Sequence, residues 1–170
     1  MNIFRVDNDP VKSAQMLCDK HIVKMPLETA QMLCSVWHRY GQGTNVPYKE
    51  VHKKHPCTLW AGDSMDNYNW LWQHGMELCF EYTRRYNKIH KSQQVIMDLS
   101  YPSPSKFIFD NRVGTPQPQC MPDEYKVLDN AVQAYKNYYI GAKSKIAQWN
   151  KSRSVPAWYT LMLDNQLIGV

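Results

Sequence analysis

Apolar residues recur every three or four positions along most of this chain, a spacing that is typical of amphipathic helices. Asp9-Pro10 is a good helix start, because Asp suits the N-cap and Pro suits the first helical position. Helical spacing covers residues 11–40, 56–88 and 123–149, with a short helix over 92–99. The sequence predicts an all-α fold of about four to five helices, in one compact domain over residues 1–170.

Prolines interrupt this pattern. Pro26 is expected to kink the first helix or to begin a second one, and Gly62 is a second candidate break. Residues 101–122 hold five prolines and cannot form a regular helix, so they predict a long ordered loop. Residues 41–54 are expected to form an exposed loop, and Pro156 to Tyr159 belong to a short closing tail.

Composition is compatible with a polyanionic partner without requiring one. Lys and Arg outnumber Asp and Glu by 20 to 15, a net charge of +5. Eleven tyrosines and six tryptophans suit a groove that stacks on rings, although they also serve ordinary cores.

Several classes of protein are disfavoured. No apolar run reaches the ~18 residues of a membrane span, and the first ten residues carry charges instead of an apolar signal region. Five scattered cysteines argue against a disulfide framework. We expect a soluble cytoplasmic protein, located in the host cytoplasm if a phage encodes it.

His21, Lys24 and Glu28 are spaced by three, four and seven residues, which places them on one helix face if the helix continues past Pro26. If a helix begins at Pro26 instead, its dipole would stabilise the Glu28 anion. A carboxylate beside these groups can orient a nucleophile or stabilise an oxocarbenium-like sugar. The same spacing also fits a buried histidine bonded to glutamate, with the lysine at the surface.

The segment from His52 to Cys57 contains three potential metal ligands, but their spacing lacks the two ligand pairs of a standard zinc site. The sequence therefore predicts neither a metal site nor a cofactor. Lys53, Lys54 and His55 precede a helix N-terminus, and we interpret them as phosphate contacts, with a solvated loop as the alternative.

Basic residues alternate with tyrosines at two further places. Arg84 and Arg85 lie near a helix end, where they suit either phosphate contact or the helix dipole. Lys136 and Tyr138 lie on the last helix, and one of the adjacent rings Tyr138 and Tyr139 must be partly exposed. We predict DNA binding by Arg84, Arg85, Lys136 and Tyr138, although an ordinary amphipathic tyrosine is a common alternative.

Three segments carry a remote resemblance to a known family. They are Cys18 to Glu28, the run from His55 through Trp70-Leu71 to Tyr86, and Arg153 to Tyr159. Their order resembles the phage pyrimidine-dimer DNA glycosylase (endonuclease V) family. Cys18 to His21 and Met121 to Lys126 also resemble elements of a group of phage proteins.

The resemblance implies an all-helical protein that bends DNA, opens the damaged pair and acts on the base. An amine attacks C1′, the base leaves, and the Schiff base collapses by β-elimination. In that family the amine is the free α-amino group of a small second residue, and the histidine and glutamate lie in the active site, here His21 and Glu28.

The second residue of this chain departs from that pattern. Asn2 is large enough to block removal of Met1, so the nucleophile is the Met1 amine or Lys24, or the lyase chemistry is lost. Amine nucleophiles must be neutral, and α-amines with an ordinary pKa of ~8 need less help than lysines at ~10.4. Ile3 and Phe4 are expected to anchor the arm if Met1 acts, with Arg5 meeting a phosphate or Glu28. The alternative is a packed arm that leaves Met1 in solvent.

Three functions follow. The first is a glycosylase or glycosylase/lyase for damaged or modified pyrimidines in DNA, expected to bind double-stranded DNA as a monomer. The second is a phage enzyme that modifies bases or nucleotides on the same scaffold without strand cleavage. The third is a protein that binds nucleic acid or nucleotides without catalysis.

Overall fold

The computed structural model describes residues 1–100, 109 and 113–168, with the backbone alone for 166–168. This part of the chain contains helices and no strand, which confirms the all-α prediction. The helices are α1 (Pro10–Gln15), α2 (Asp19–Arg39), α3 (Pro56–Asp63), α4 (Met65–Tyr86), α5 (Gln93–Asp98), α6 (Ala131–Ala142) and α7 (Ala157–Ile168). Two 3₁₀ turns lie at Gly43–Asn45 and Asp123–Tyr125. The count exceeds the four to five helices expected.

The helical spacing over residues 11–40 corresponds to two helices, α1 and α2, of which only α1 begins at a side-chain cap. The Asp9 carboxylate accepts hydrogen bonds from the backbone nitrogens of Val11 (2.8 Å) and Lys12 (3.1 Å), so Asp9 caps α1 as predicted. Helix α2 continues through Pro26 as one element, and no second helix begins there. Because the helix is continuous, His21, Lys24 and Glu28 do share one face of α2.

The predicted helix over 56–88 is two helices, α3 and α4. The break lies at Ser64 instead of Gly62, and Ser64 Oγ accepts a hydrogen bond from the backbone nitrogen of Asn67 at 3.1 Å. This cap satisfies a donor at the start of α4 and permits the change of direction. Ser92 precedes α5 as expected, but its side chain makes no capping bond.

The predicted helix over 123–149 is wrong in extent, since α6 covers only Ala131–Ala142. Asp129 has a left-handed backbone (φ 53°), which ends any regular helix before α6. After α6, Trp149 Nε1 donates to the carbonyl of Met16 (3.0 Å), and the nitrogen of Asp19 donates to the carbonyl of Gln148 (2.9 Å). These contacts hold residues 143–150 against the start of α2, so tertiary bonding prevails over the helical spacing.

In the last third of the chain, the C-terminal end differs from expectation and the described part of the proline-rich segment does not. Residues 157–168 form α7 instead of a short tail. Of the predicted proline-rich loop, residues 101–108 and 110–112 lie outside the described residues, including Pro102 and Pro104. Residues 113–122 are non-helical, as the prolines predict.

The core consists of two apolar clusters that meet at the N-terminal arm, by which we mean residues 1–6. Helices α2, α3 and α4 form one cluster and include Ile3 of the arm. Helices α1, α2 and α6 form the other, which includes Phe4 of the arm. Both side chains are buried, so the arm is held on both sides. None of the helices in the described residues is long and apolar enough to cross a membrane.

Candidate active site at the N-terminus

Glu28 lies in the middle of α2 and is nearly enclosed, with 9% of the residue exposed. Lys24 lies one turn earlier, and its Nζ is 3.0 Å from Glu28 Oε1. Two-thirds of the Lys24 side chain is exposed, so the lysine covers the carboxylate from the solvent side. Because α2 is continuous, no helix N-terminus lies at Glu28, and the helix-dipole stabilisation considered from the sequence does not apply.

The chain start provides the other partners of Glu28. The backbone nitrogen of Asn2 donates to Glu28 Oε2 at 3.0 Å, and the Met1 α-amine lies 3.9 Å from the same oxygen. The Met1 side chain is 2% exposed. The arm therefore places an amine beside a nearly buried carboxylate, and the alternative with Met1 in solvent is not what the structure has.

The Asn2 side chain fixes this arrangement. Its Nδ2 donates to the carbonyl of Cys120 at 2.9 Å, while its Oδ1 accepts from the Tyr135 hydroxyl at 2.7 Å and the Ile3 nitrogen at 2.8 Å. Since both ends of the amide are bonded, Asn2 cannot turn without breaking several hydrogen bonds. The residue that departs from the resembled family's chemistry thus orients the arm.

His21 contacts the arm instead of the carboxylate. Its ring stacks on Phe4 at a centroid distance of 4.1 Å, and its Nδ1 hydrogen-bonds to the Tyr139 hydroxyl. Burial, followed by the charges of Lys143 and Lys24, lowers the pKa of His21 to about 3. The imidazole is therefore neutral near pH 7 and packs as an uncharged ring.

The expectation that His21 and Glu28 line one pocket is not met by the described residues. A cavity of about 440 Å³ is lined by His21 and Lys24, together with Phe4, Asp19, Lys20, Val23, Tyr86, Lys143 and Ile146, and Glu28 is absent from this lining. The stacked Phe4 ring connects His21 to the arm, and the arm contacts Glu28. The two residues are therefore linked through the arm.

Arg5 turns away from Glu28. Its guanidinium lies over the Trp70 ring at 4.7 Å from the centroid, in a wide cleft of about 1220 Å³. Trp60 and residues 114–119 contribute further to this cleft, but Met1, His21, Lys24 and Glu28 do not line it. The contact between Arg5 and Glu28 considered from the sequence is therefore replaced by a cation–π contact.

His55, predicted as a phosphate contact, lies at the start of α3, where its Nδ1 accepts the backbone N–H of Cys57 at 3.2 Å. Burial lowers the pKa of His55, and the N-terminal ammonium adds to that effect, while Glu28 opposes it. His55 is therefore within electrostatic reach of the amine and of the carboxylate. Cys57 and Cys120 lie beside it, and their Sγ atoms are 3.5 Å apart.

The basic residues predicted to bind DNA have different environments. Lys53 and Lys54 are exposed just before α3, and Lys53 pairs with Glu50 at 3.2 Å. The Arg84 side chain is about half exposed and pairs with Glu81. Arg85 has no exposed side-chain surface and pairs with Glu81 and Asp19, each at 3.0 Å. The Arg85 guanidinium is therefore occupied inside the protein and cannot reach a phosphate in this arrangement.

The two predicted contacts on α6 are half-buried. Lys136 Nζ lies 5.6 Å from the centroid of the Trp158 ring, and Lys143 Nζ lies 4.6 Å from that of Tyr138. Tyr138 also lies parallel to Phe4, at a centroid distance of 6.2 Å. Tyr138 is the partly exposed ring of its pair, because Tyr139 is fully buried.

Sequence reasoning did not identify Tyr135, Cys120 or the orienting role of Asn2 as parts of this site. Tyr135 is indistinguishable from a core residue in the helical pattern of α6, and Cys120 follows a proline-rich stretch without a ligand motif nearby. Both reach the arm only through tertiary contacts more than 100 residues apart in sequence. No local signal in the sequence indicates such contacts.

The fold and this geometry define a helical protein that holds its N-terminal amine against a carboxylate. A family model for pyrimidine dimer DNA glycosylases matches residues 1–94, which is more than half of the chain and includes Met1, His21, Lys24 and Glu28. The chain belongs to the pyrimidine dimer DNA glycosylase family. No curated protein and no solved structure matches it. The late segment Arg153 to Tyr159 lies outside the matched region.

Proposed function

We propose that this protein is a DNA glycosylase for damaged or modified pyrimidines, and that its N-terminal α-amine also performs an abasic-site lyase step. One observation carries the proposal: an α-amine lies 3.9 Å from a nearly buried carboxylate, and the next backbone nitrogen donates to that carboxylate at 3.0 Å. DNA is the substrate that the family implies.

The reaction assigns separate tasks to the two groups. The neutral amine gives its electron pair to C1′, while the glycosidic bond breaks and the base leaves with that bond's electrons and takes up a proton. While it is ionised, the Glu28 carboxylate stabilises the positive charge that develops at C1′. It then accepts a proton from the nitrogen that has bonded to C1′. Ring opening gives an imine, loss of a C2′ proton follows, and β-elimination releases the 3′ phosphate.

Lys24 is a weaker candidate for the nucleophile. Its side chain is 66% exposed, so no buried pocket surrounds the amine. Its ammonium instead balances the Glu28 charge at 3.0 Å. We assign Lys24 to positioning Glu28, and the α-amine to attack.

His21 supports the reaction through position. Its neutral ring stacks on Phe4. Asn2, two residues before Phe4, donates its backbone N–H to Glu28. We therefore assign His21 to holding the arm in place.

We propose that double-stranded DNA approaches the face that carries Lys24 and the start of α3. Lys53 and Lys54 are exposed there. His55 is close enough to the amine and to Glu28 for their charges to affect its pKa. Arg84, Lys136 and Tyr138 remain candidate contacts, because each keeps exposed surface. Arg85 is omitted, since its charge is neutralised in the core.

Substitution of Glu28 tests the proposed function. On a duplex with one cyclobutane pyrimidine dimer, we expect wild-type protein to release the base and cleave the strand. Glu28→Gln keeps the shape and removes the anion, so we expect a loss of at least about 100-fold, with an unchanged circular dichroism spectrum. Strand products are measured by denaturing electrophoresis.

Glu77→Gln is the matched control, because Glu77 bonds only to Gln15 among the described residues and lies outside the site. Its activity should equal that of the wild type. Full activity of Glu28→Gln would contradict the proposed role of the carboxylate. A wild-type protein that binds DNA but releases no dimer or modified pyrimidine would favour a binding function instead.

A further inference from the structure

A cluster of soft metal ligands lies beside the N-terminal site. One imidazole nitrogen of His55 and the Sγ atoms of Cys57 and Cys120 all lie within 4.8 Å of one another. The two sulfur atoms are 3.5 Å apart. His55 and Cys57 come from the start of α3, and Cys120 comes from the segment after the prolines, so the fold assembles the cluster from distant parts of the chain.

Backbone contacts hold each ligand in place. His55 Nδ1 accepts the N–H of Cys57 at 3.2 Å, which holds the imidazole over the first turn of α3. A metal ion would take this lone pair in place of that hydrogen bond. The Cys120 nitrogen donates to the Tyr135 hydroxyl at 3.3 Å, and the Cys120 carbonyl accepts from Asn2 Nδ2 at 2.9 Å. The cluster is therefore organised before any ion binds, which lowers the entropy cost of binding.

The ligand types favour a thiophilic divalent cation. Two thiolates and an imidazole suit Zn²⁺, while Mg²⁺ and Ca²⁺ prefer oxygen ligands. Zn–S bonds of about 2.3 Å at a tetrahedral angle place two sulfur atoms roughly 3.8 Å apart. The observed 3.5 Å is close to that separation. A disulfide needs an S–S distance of about 2.05 Å, and it would not involve the nearby imidazole.

We propose that His55, Cys57 and Cys120 bind one zinc ion next to the N-terminal arm. Three protein ligands leave the fourth position of a tetrahedral ion open to water. The ion joins the start of α3 to Cys120, whose carbonyl accepts a hydrogen bond from Asn2. It therefore stabilises the contacts that hold the N-terminal arm. The proposal goes beyond the glycosylase function and stands without it, because the ligands differ from Met1 and Glu28.

Metal content and cobalt substitution test the site. The full chain is purified under reducing conditions, and its zinc is measured by inductively coupled plasma mass spectrometry. We expect one equivalent of zinc per chain. After removal by a chelator, addition of Co²⁺ to wild-type protein should produce thiolate-to-cobalt charge-transfer and tetrahedral d–d bands that saturate at one equivalent.

Matched variants assign the ligands. Cys57→Ser and Cys120→Ser should lose the bound zinc and the charge-transfer band, and His55→Gln should weaken Co²⁺ binding at least about 10-fold. Cys34→Ser is the control, because Cys34 is not one of the three clustered ligands and its thiol bonds to the backbone of Tyr48, and it should keep one equivalent. Circular dichroism of each variant checks that the fold is kept. The cobalt titration of the wild-type protein tests metal binding without any substitution.

Three results would overturn the proposal. The first is wild-type protein with reduced thiols that binds neither zinc nor cobalt. The second is a Cys57–Cys120 disulfide that persists in the reduced preparation. The third is loss of the metal from Cys34→Ser to the same degree as from Cys57→Ser, which would show that the binding is not specific to the cluster.

Discussion

At the scale of single residues, burial decides which charges are available for function. Arg85 belongs to a motif that suits DNA binding, yet its guanidinium donates to Glu81, Asp19 and the carbonyls of Leu17 and Gln15. Arg84, its neighbour in sequence, keeps half of its side chain exposed. Consecutive residues on a helix point about 100° apart. Arg85 therefore faces the interior as a structural cation, while Arg84 faces outward and is a candidate phosphate contact.

His74 provides a residue-scale prediction on pH. It is fully buried against Trp70, and neither ring nitrogen has a hydrogen-bond partner in the described residues. Burial, with a smaller effect of the Arg5 charge, lowers the pKa of His74 to about 3. Since the pKa is higher in the unfolded chain, the unfolded state binds more protons, and stability is lost as pH falls from about 6.5 towards 3.

His74→Phe should therefore flatten the fall in unfolding free energy between pH 6 and 4 by up to about 1.4 kcal/mol per pH unit. At pH 7 its stability should equal or exceed that of the wild type, because the unpartnered nitrogens are removed. Urea unfolding at several pH values measures both effects. His52→Asn is the control, since His52 is exposed and its φ of 48° suits asparagine. Equal slopes for His74→Phe and wild type would contradict the account.

At the scale of elements, α2 and α4 approach closely where Gly75 faces Thr29. A Cβ at Gly75 would collide with the Thr29 methyl group, while the Thr29 Cβ would remain at 3.3 Å. This contact brings the middle of α4 against the turn of α2 that carries Glu28. Glycine in a helix costs about 1 kcal/mol relative to alanine, so the close approach explains why the helix tolerates it.

Gly75→Ala should destabilise the protein by about 1–3 kcal/mol from overpacking, less the gain of about 1 kcal/mol in helix propensity. In a Thr29→Ala background the collision with the methyl group is removed, and contacts of 3.3 Å to the Cβ of residue 29 and 3.4 Å to Ile96 Cδ1 remain, so the same change should be clearly less destabilising. Thermal and urea unfolding of the four proteins in this double-mutant cycle measure the coupling. Additive effects of the two substitutions would show that the helices do not meet at this contact.

The sequence predicted the elements whose ends and faces depend on local capping and spacing. Its predictions were wrong where tertiary hydrogen bonds determine the backbone conformation. Asp9 caps α1 and the spacing on α2 places Lys24 beside Glu28, as expected. Helical spacing after residue 142 did not produce a helix, because Trp149 is bonded to Met16, just after α1, and Gln148 to Asp19 at the start of α2. The partners of Asn2 at Cys120 and Tyr135 are equally invisible in sequence, since they are more than 100 residues away.

At the scale of the whole molecule, the N-terminal arm is the point at which both core clusters, the carboxylate of α2 and the start of α3 meet. Ile3 enters one cluster, and Phe4 enters the other. The Ser13 hydroxyl and the Gln117 amide bond to the carbonyls of Phe4 and Ile3, at 3.2 and 2.8 Å. Global folding therefore fixes the position of the chain start, and the exposed lysines around it face the solvent from which DNA would approach.

DNA binding should weaken steeply with salt, and Lys54 should account for part of that slope. Each phosphate contact contributes about 0.9 to the slope of log K against log salt concentration on duplex DNA. Lys54→Ala should lower the slope by about that amount without changing thermal stability, because Lys54 is exposed. Lys12→Ala, on the exposed side of α1, is the control and should leave the slope unchanged. Fluorescence anisotropy at several salt concentrations measures it, and an unchanged slope for Lys54→Ala would exclude this contact.

The most direct test of the central claim is borohydride trapping with a duplex that contains one abasic site, followed by peptide mapping of the adduct. We expect the adduct on the N-terminal peptide, and intact mass spectrometry should show that Met1 is retained and carries it. One added residue before Met1 displaces the amine by about 3.5 Å, so trapping should be abolished while the fold is kept. An adduct on Lys24, or unchanged trapping by the extended chain, would contradict the assignment of the α-amine as nucleophile.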